Sequence, residues 1–253
     1  MRISANVGKA GGPLQSSDSV VVSPHPDDAV LSCWDVLTRP GVRHVVTVFA
    51  GLPEPGTPPS AWDRLTECTD PRERVVRRRA EDRRALRHAG LDAVHLDFVG
   101  AVHRRGPLDA GALHAALETA IGDYPTVYLP AAIGGHPDHV AVRNAALAVA
   151  AGRRRLLYAD QPYAARFGWP SWVTGAPAGA GLDVGGWLAA HLPAGVADTD
   201  PPPDVVRLTG AAQSAKCRAI TEYGSQFAAL RASAGARFPY GPRWAYEVTW
   251  RLS

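Results

Sequence analysis

The sequence predicts an α/β fold with a mostly parallel sheet and helices on both faces. Two observations carry this prediction. Short β-branched runs alternate with longer segments of helical spacing through the first 160 residues, which is the pattern of repeated βαβ units. The predicted strands and helices also end at residues that commonly terminate such elements, such as Pro24 after SVVVS and Gly90 after a long basic helix.

Five strands and four helices are expected in this part of the chain. The strands cover 19–24, 42–50, 91–99, 125–130 and 153–159. The helices cover 29–37, 72–90, 109–121 and 139–151. The segment 51–64 holds four prolines and two glycines, so we expect a long loop there, and loops of this length are often functional.

The pattern loosens after residue 160. The segment 161–186 is rich in aromatic residues, glycine and proline and is expected to form an irregular C-terminal cap over the sheet edge. A strand at 204–210, a helix at 211–226 and a strand at 244–252 complete the chain. We therefore expect a flexible N-terminal arm at 1–17 and a single domain at 18–253, a Rossmann-like three-layer sandwich with an irregular cap.

Composition narrows the class of protein. The formal net charge is +3, and 46 % of the residues are hydrophobic and 20 % charged, which is an ordinary globular balance and too little positive charge for a typical nucleic-acid binder. No apolar stretch approaches the roughly 18 residues of a membrane helix. The cysteines, Cys33, Cys68 and Cys217, are widely spaced, which favours reduced thiols. We expect a soluble cytoplasmic protein with a small-molecule partner.

Two similar turns follow predicted strands. They read HPDD at 25–28 and HPDH at 136–139. In an open α/β sheet, ligands bind beyond the carboxyl ends of the strands, so the two turns can face one site although they are far apart in sequence. Between them they offer His25, Asp27, Asp28, His136, Asp138 and His139.

These residue types suit a mononuclear metal hydrolase. Catalytic zinc takes three protein ligands from histidine and carboxylate and leaves a position for water, and it lowers the pKa of that water from about 16 to about 7. A separate carboxylate must take the proton, and a donor must steady the oxyanion. The structural alternative is that Asp27 or Asp28 only caps a helix. A second copy of the turn at an equivalent strand end argues against that alternative.

A family resemblance rests on these stretches. PHPDDAVLS together with GGHPDH resembles the LmbE-like/PIG-L N-deacetylases, and RRAEDRRALRHAGL (78–91) and KCRAITEYGSQ (216–226) are similar to two further segments of that family. The resemblance covers residues from about 18 to 227. It implies a zinc-dependent hydrolase that cuts a linear C–N amide bond and removes an acyl group, usually acetyl, from an amino sugar.

The resemblance also assigns roles by position. It makes His25, Asp28 and His139 the zinc ligands, with Fe²⁺ as a possible occupant of the same site. Asp27 becomes the general base. His136 becomes the residue that stabilises the oxyanion or protonates the leaving amine.

The chain departs from the family pattern at two positions. Ala29 stands where many members have glutamate after HPDD, and Gly134 stands where some thiol-pathway members have a tyrosine that serves as an oxyanion donor. We expect His136 to act alone, or with an aromatic residue from the cap at 160–172.

Three residues are candidates for substrate binding, and each has a structural alternative. Arg78, which opens the R-x-x-E match, could bind substrate or form a salt bridge. His103 lies in the loop after the third strand, at the same sheet edge. Trp169 and the aromatic residues near it could line a sugar pocket or close a small core.

Three functions are compatible with these residues. The first is deacetylation of an amino sugar or glycosylated small molecule, in bacterial secondary metabolism. The second is hydrolysis of a larger thiol-conjugate or another small amide. The third is a catalytically silent binding protein, which the intact set of HPD residues argues against. The sequence does not indicate the oligomeric state.

Overall fold

The structure is a computed structural model that describes residues 14–167, 169, 173, 190–191, 203–235 and 237–252. Most of the expected N-terminal arm lies outside the described residues. So do Trp172 and most of the expected cap. Among the residues that the structure describes, no helix is both long and apolar enough to cross a membrane.

A seven-stranded sheet organises the chain, in the order β3-β2-β1-β4-β5-β7-β6. The strands are β1 Ser19–Ser23, β2 Val42–Thr47, β3 Asp92–His95, β4 Thr126–Pro130, β5 Arg154–Tyr158, β6 Asp204–Arg207 and β7 Tyr246–Arg251. Strands β1 to β5 are mutually parallel, and β7 is antiparallel to both β5 and β6. The expected mostly parallel sheet is confirmed.

The sheet reverses its winding between β1 and β4. From β1 the chain proceeds to β2 and β3 on one side, whereas β4 and β5 lie on the other side. A crevice forms beyond the carboxyl ends of two such neighbouring strands. Both HPD turns follow these two strands, so the topology brings them to the same place.

Nine helices are described around the sheet. They are α1 Asp28–Ser32, α2 Trp34–Leu37, α3 Ala61–Leu65, α4 Pro71–Arg87, α5 Ala110–Ile121, α6 Pro137–Val149, α7 Tyr163–Phe167, α8 Gly210–Thr221 and α9 Gly224–Ala234. A 3₁₀ helix at Pro242–Ala245 precedes the last strand.

An apolar core lies on each face of the sheet, between the sheet and the helices that cover that face. The fold therefore has three layers. Val20 and Val22 of β1 belong to the core that contains α5 and α6, whereas Val21 belongs to the core that contains α4 and α8. This alternation follows from the two-residue period of a strand. In α5, Leu113, Leu117 and Ile121 are buried at the four-residue spacing that puts them on one helix face.

Several elements differ from the sequence-based expectation. The strands expected at 42–50, 91–99 and 204–210 are shorter and end at Thr47, His95 and Arg207. The helix expected at 29–37 is two short helices, with Cys33 in a non-helical conformation between them. The helix expected at 211–226 ends at Thr221, and α9 begins at Gly224. Most of the short helix α3 lies in the expected loop, and its N-cap residue Ser60 forms a reciprocal capping box with Asp63. Such a box satisfies backbone donors at the helix start.

Candidate metal centre

The HPDD turn is held at the end of β1 by a serine. Ser23 Oγ donates to the carbonyl of His25 at 2.8 Å and accepts from the backbone N–H of Ala29 at 3.1 Å. Within the turn, Asp27 has φ 118°, a value that non-glycine residues rarely adopt. Strain of this kind costs on the order of 1–3 kcal/mol and is concentrated at functional sites.

Three side chains from the two turns converge. Nδ1 of His25 and Nε2 of His139 each lie 3.2 Å from Oδ2 of Asp28, and the candidate ligand atoms of the three residues lie within 4.8 Å of one another. Two histidines and one carboxylate form a donor set that a catalytic zinc site uses.

The electrostatics of this group favour a cation. Burial alone would lower the pKa of His139, but Asp28 and Asp160 raise that pKa to about 10. Burial would raise the pKa of Asp28, but His139 and His25 lower it below its usual range. His139 Nε2 is buried and makes no hydrogen bond to any described residue. An orphaned nitrogen beside an ionised carboxylate fits a divalent metal, so His25, Asp28 and His139 would hold one.

Both histidines of the group are oriented by a second carboxylate. Nε2 of His25 lies 3.1 Å from Oδ2 of Asp138, and Nδ1 of His139 lies 2.6 Å from Oδ1 of Asp160. Such pairs fix the ring orientation of metal-ligating histidines. Sequence reasoning did not identify Asp160. The feature that could have identified Asp160 is its position, because it follows the carboxyl end of β5, the strand next to β4.

Asp27 is buried beside the group, with 6 % of its surface exposed. Nη2 of Arg78 lies 3.4 Å from Asp27 Oδ2 and donates to the carbonyl of Pro26 at 2.9 Å. Burial raises the pKa of Asp27 to about 7, although Arg78 opposes this shift. A carboxyl group with a pKa near neutrality can accept a proton and release it again.

His136 forms another wall of the site. It caps α6, because its Nδ1 accepts from the backbone N–H of Asp138 at 3.2 Å, so the ring proton is assigned to Nε2. Its ring lies 5.2 Å from the His25 ring and 5.3 Å from the His139 ring. Burial, followed by the two neighbouring histidines, lowers the pKa of His136 to about 4. The neutral ring therefore presents one N–H donor.

The three candidate substrate-binding residues lie in different surroundings. Arg78 reaches the group through Asp27. His103 Nε2 lies 2.6 Å from Asp63 Oδ2, and this pair joins the loop after β3 to α3. Trp169 is buried, and its Nε1 donates to the carbonyl of Arg243 at 3.0 Å. The structure thus places Arg78 at the candidate site and gives His103 Nε2 and Trp169 Nε1 protein partners.

One aromatic residue of the cap region is close to the histidines. The ring of Tyr163, in α7, lies 5.4 Å from the His139 ring and 6.3 Å from the His136 ring.

The other two segments that carried the family resemblance support the site through buried polar contacts. Asp82 accepts hydrogen bonds from Thr47 and Tyr223 and pairs with His95. Glu81 accepts from the backbone N–H and the hydroxyl of Ser225. These contacts tie α4 to the sheet and to the start of α9.

The fold and the site together define an α/β protein with a candidate mononuclear metal centre at the switch point of its sheet. A family model described as "PIG-L: GlcNAc-PI de-N-acetylase" matches residues 20–150. The chain belongs to this family, and the expected resemblance is confirmed.

One relative in sequence is described as a deacetylase. The 2′-N-acetylparomamine deacetylase of Streptomyces fradiae is 32 % identical over 173 residues, which are 60 % of this chain and 59 % of that protein. The match thus spans less than two thirds of that relative's length.

Solved structures with the same fold include two deacetylases. One is the zinc-inhibited form of teicoplanin deacetylase Orf2, with a TM-score of 0.72 and 26 % identity over 93 % of this chain and 98 % of that chain. Another is the A40926 pseudoaglycone deacetylase Dbv21, with a TM-score of 0.71 and 28 % identity over 94 % of this chain and 98 % of that chain.

Proposed function

We propose that this protein is a metal-dependent N-deacetylase that removes an acetyl group from an amino sugar carried by a small molecule, in bacterial secondary metabolism. The observation that carries the proposal is the position of Asp27, a buried carboxyl group with a raised pKa, next to the group formed by His25, Asp28 and His139. The names of its relatives, which are deacetylases of antibiotic-related glycosides, support the choice of substrate class.

The metal would be held by His25 Nδ1, Asp28 and His139 Nε2, and we propose zinc, with Fe²⁺ as the alternative. A bound divalent metal lowers the pKa of water and polarises a carbonyl. Asp138 and Asp160 keep the two imidazole rings in the tautomers that point a lone pair at this position.

Asp27 is assigned as the general base. Its ionised form accepts a proton from the attacking water, and its protonated form can then deliver that proton to the leaving nitrogen. A group with a pKa of about 7 suits both steps near neutral pH. Arg78 positions Asp27 and has a side chain that is 19 % exposed, so we retain it as a substrate contact. The engagement of His103 Nε2 and Trp169 Nε1 by protein partners favours a supporting role for these two residues.

His136 is assigned as the donor to the acetamide oxygen. Its Nδ1 is occupied by the N–H of Asp138, so only Nε2–H is available to stabilise negative charge on that oxygen as water adds. A pKa lowered to about 4 favours this hydrogen-bonding role over that of a charged proton donor. Of the two roles that the sequence left open, we therefore propose the first.

The compartment follows from the cysteines. All three are buried and free, as is common where thiols are kept reduced. We propose that the reaction takes place in the cytoplasm.

Acetate release from a panel of N-acetylated amino sugars and glycosides tests the function. We expect release that stops with a chelator and returns when zinc is restored. The variant Asp27→Asn should lower the rate by a factor on the order of 10² or more, as expected for loss of a general base. Asp92→Asn, at an exposed position of β3, is the matched control. Full activity of Asp27→Asn would remove Asp27 from the mechanism.

A further inference from the structure

A second set of metal-ligating side chains adjoins the first. One candidate ligand atom from each of His25, His136 and Asp138 lies within 4.8 Å of the other two. The two sets share only His25, and they use opposite sides of its ring. Nδ1 faces Asp28 at 3.2 Å, whereas Nε2 faces Asp138 at 3.1 Å. Two histidines and a carboxylate again form a donor set that suits zinc.

Charge separates the two sets. The first contains Asp28 and has the buried carboxyl groups of Asp27 and Asp160 beside it. In the second set the only carboxylate is Asp138, and it is already partly neutralised. Arg104 Nη1 lies 3.1 Å from its Oδ1, and the backbone N–H of Ala101 donates to its Oδ2 at 2.8 Å. A guanidinium this close opposes a divalent cation, so the second set should bind metal more weakly.

Access differs as well. His139, which belongs only to the first set, is fully buried, whereas His136, which belongs only to the second set, is partly exposed. Metal in solution can therefore reach the second set when the first is filled.

We propose that His25, His136 and Asp138 form a second, weaker zinc position and that zinc bound there inhibits the reaction. Binding uses Nε2 of His136, whose proton moves to Nδ1 as the contact between Nδ1 and the N–H of Asp138 opens, so Nε2 no longer donates to the acetamide oxygen. It also displaces the Nε2 proton that His25 donates to Asp138, and this proton leaves to solvent. With both positions filled, the His25 ring binds one ion through each nitrogen.

The inhibitory part of this inference rests on the proposed function, whereas the binding part does not. A solved relative with 26 % identity is described as a zinc-inhibited form. In this chain, a second position formed by these residues would give inhibition a structural cause.

A zinc titration of the metal-free protein, followed by calorimetry, tests the binding. We expect a tight class and a weak class of about one ion each for the wild type. The variant His136→Asn should lose the weak class and keep the tight one, and asparagine can still cap α6. His88→Asn changes a histidine that pairs with Glu222 near the surface and should keep both classes. A weak class that survives in His136→Asn, or a wild type with one class only, would overturn the proposal.

An activity measurement tests the inhibitory part of the proposal. Wild-type acetate release should fall over the zinc range that fills the weak class, and Mg²⁺, which prefers oxygen ligands, should not reproduce the fall. Inhibition at zinc concentrations that leave the weak class empty would contradict the assignment. If no substrate were found while both classes persisted, the proposed function would fail and the second position would stand.

Discussion

His139 and Asp160 form a buried pair, in which Nδ1 and Oδ1 are 2.6 Å apart and the two side chains are 1 % and 0 % exposed. The pair turns Nε2 of His139 toward Asp28. The orientation of a candidate metal ligand is therefore set by a residue that lies on another strand end.

Asp160→Asn should weaken zinc binding by about 10- to 100-fold, because the carboxylate partner of a ligating histidine contributes that much to affinity. Asparagine can still accept from the Ile133 N–H that Asp160 holds at 3.0 Å, so the backbone contact is preserved. Competition with a chromophoric chelator measures the affinity, with Asp92→Asn as control. An unchanged affinity would mean that Asp160 does not support the ligand.

Arg78→Met should move the acidic limb of the pH–rate profile to higher pH. Burial raises the pKa of Asp27 to about 7 and Arg78 opposes that rise, so removing the guanidinium raises the pKa further, by about one unit. The base then ionises only at higher pH, and activity below neutrality falls most.

The matched control for this profile is Arg79→Met. Arg79 pairs with the exposed Asp97 at 2.5 Å and donates to the carbonyl of Ala50, so the profile of Arg79→Met should match that of the wild type. If the acidic limb did not move in Arg78→Met, then either Arg78 does not lower the pKa of Asp27 or the ionisation of Asp27 does not control the rate.

Lys216→Met should destabilise the fold by about 3 kcal/mol, because it leaves the buried Glu247 carboxylate without its cation. Lys216 Nζ lies 2.6 Å from Glu247 Oε1, and Glu247 also accepts from the backbone N–H groups of Trp34 and Asp35 at the start of α2. Urea unfolding measures the loss. Arg218→Met, at an exposed position of the same helix, should change stability by less than about 0.5 kcal/mol.

The site residues that were predicted from the sequence belong to short motifs that can be recognised locally. HPDD stands directly after a β-branched run, HPDH follows the fourth strand after the short turn AAIGG, and the α/β alternation places both at one sheet edge. Asp160 and Arg104 have no such signal. Each lies in a loop outside any repeated motif, and only the adjacency of β1, β4 and β5 and the path of the loop after β3 bring them to the histidines.

The missed helix boundary has a similar cause. The sequence 211–226 has helical spacing throughout, but the chain turns between α8 and α9, where Tyr223 is buried and its hydroxyl donates to Asp82 at 2.8 Å. A contact with a residue 141 positions away overrides the local preference. Within the segment, Gly224 is a local signal of the break.

Metal content tests the central claim most directly. After dialysis into metal-free buffer, the wild type and Asp27→Asn should each retain about one divalent ion per chain, because Asp27 is assigned to proton transfer and not to ligation. His25→Ala and His139→Ala, checked for folding by circular dichroism, should retain almost none. Metal content equal to that of the wild type in both histidine variants would contradict the assignment of His25, Asp28 and His139 as the metal centre.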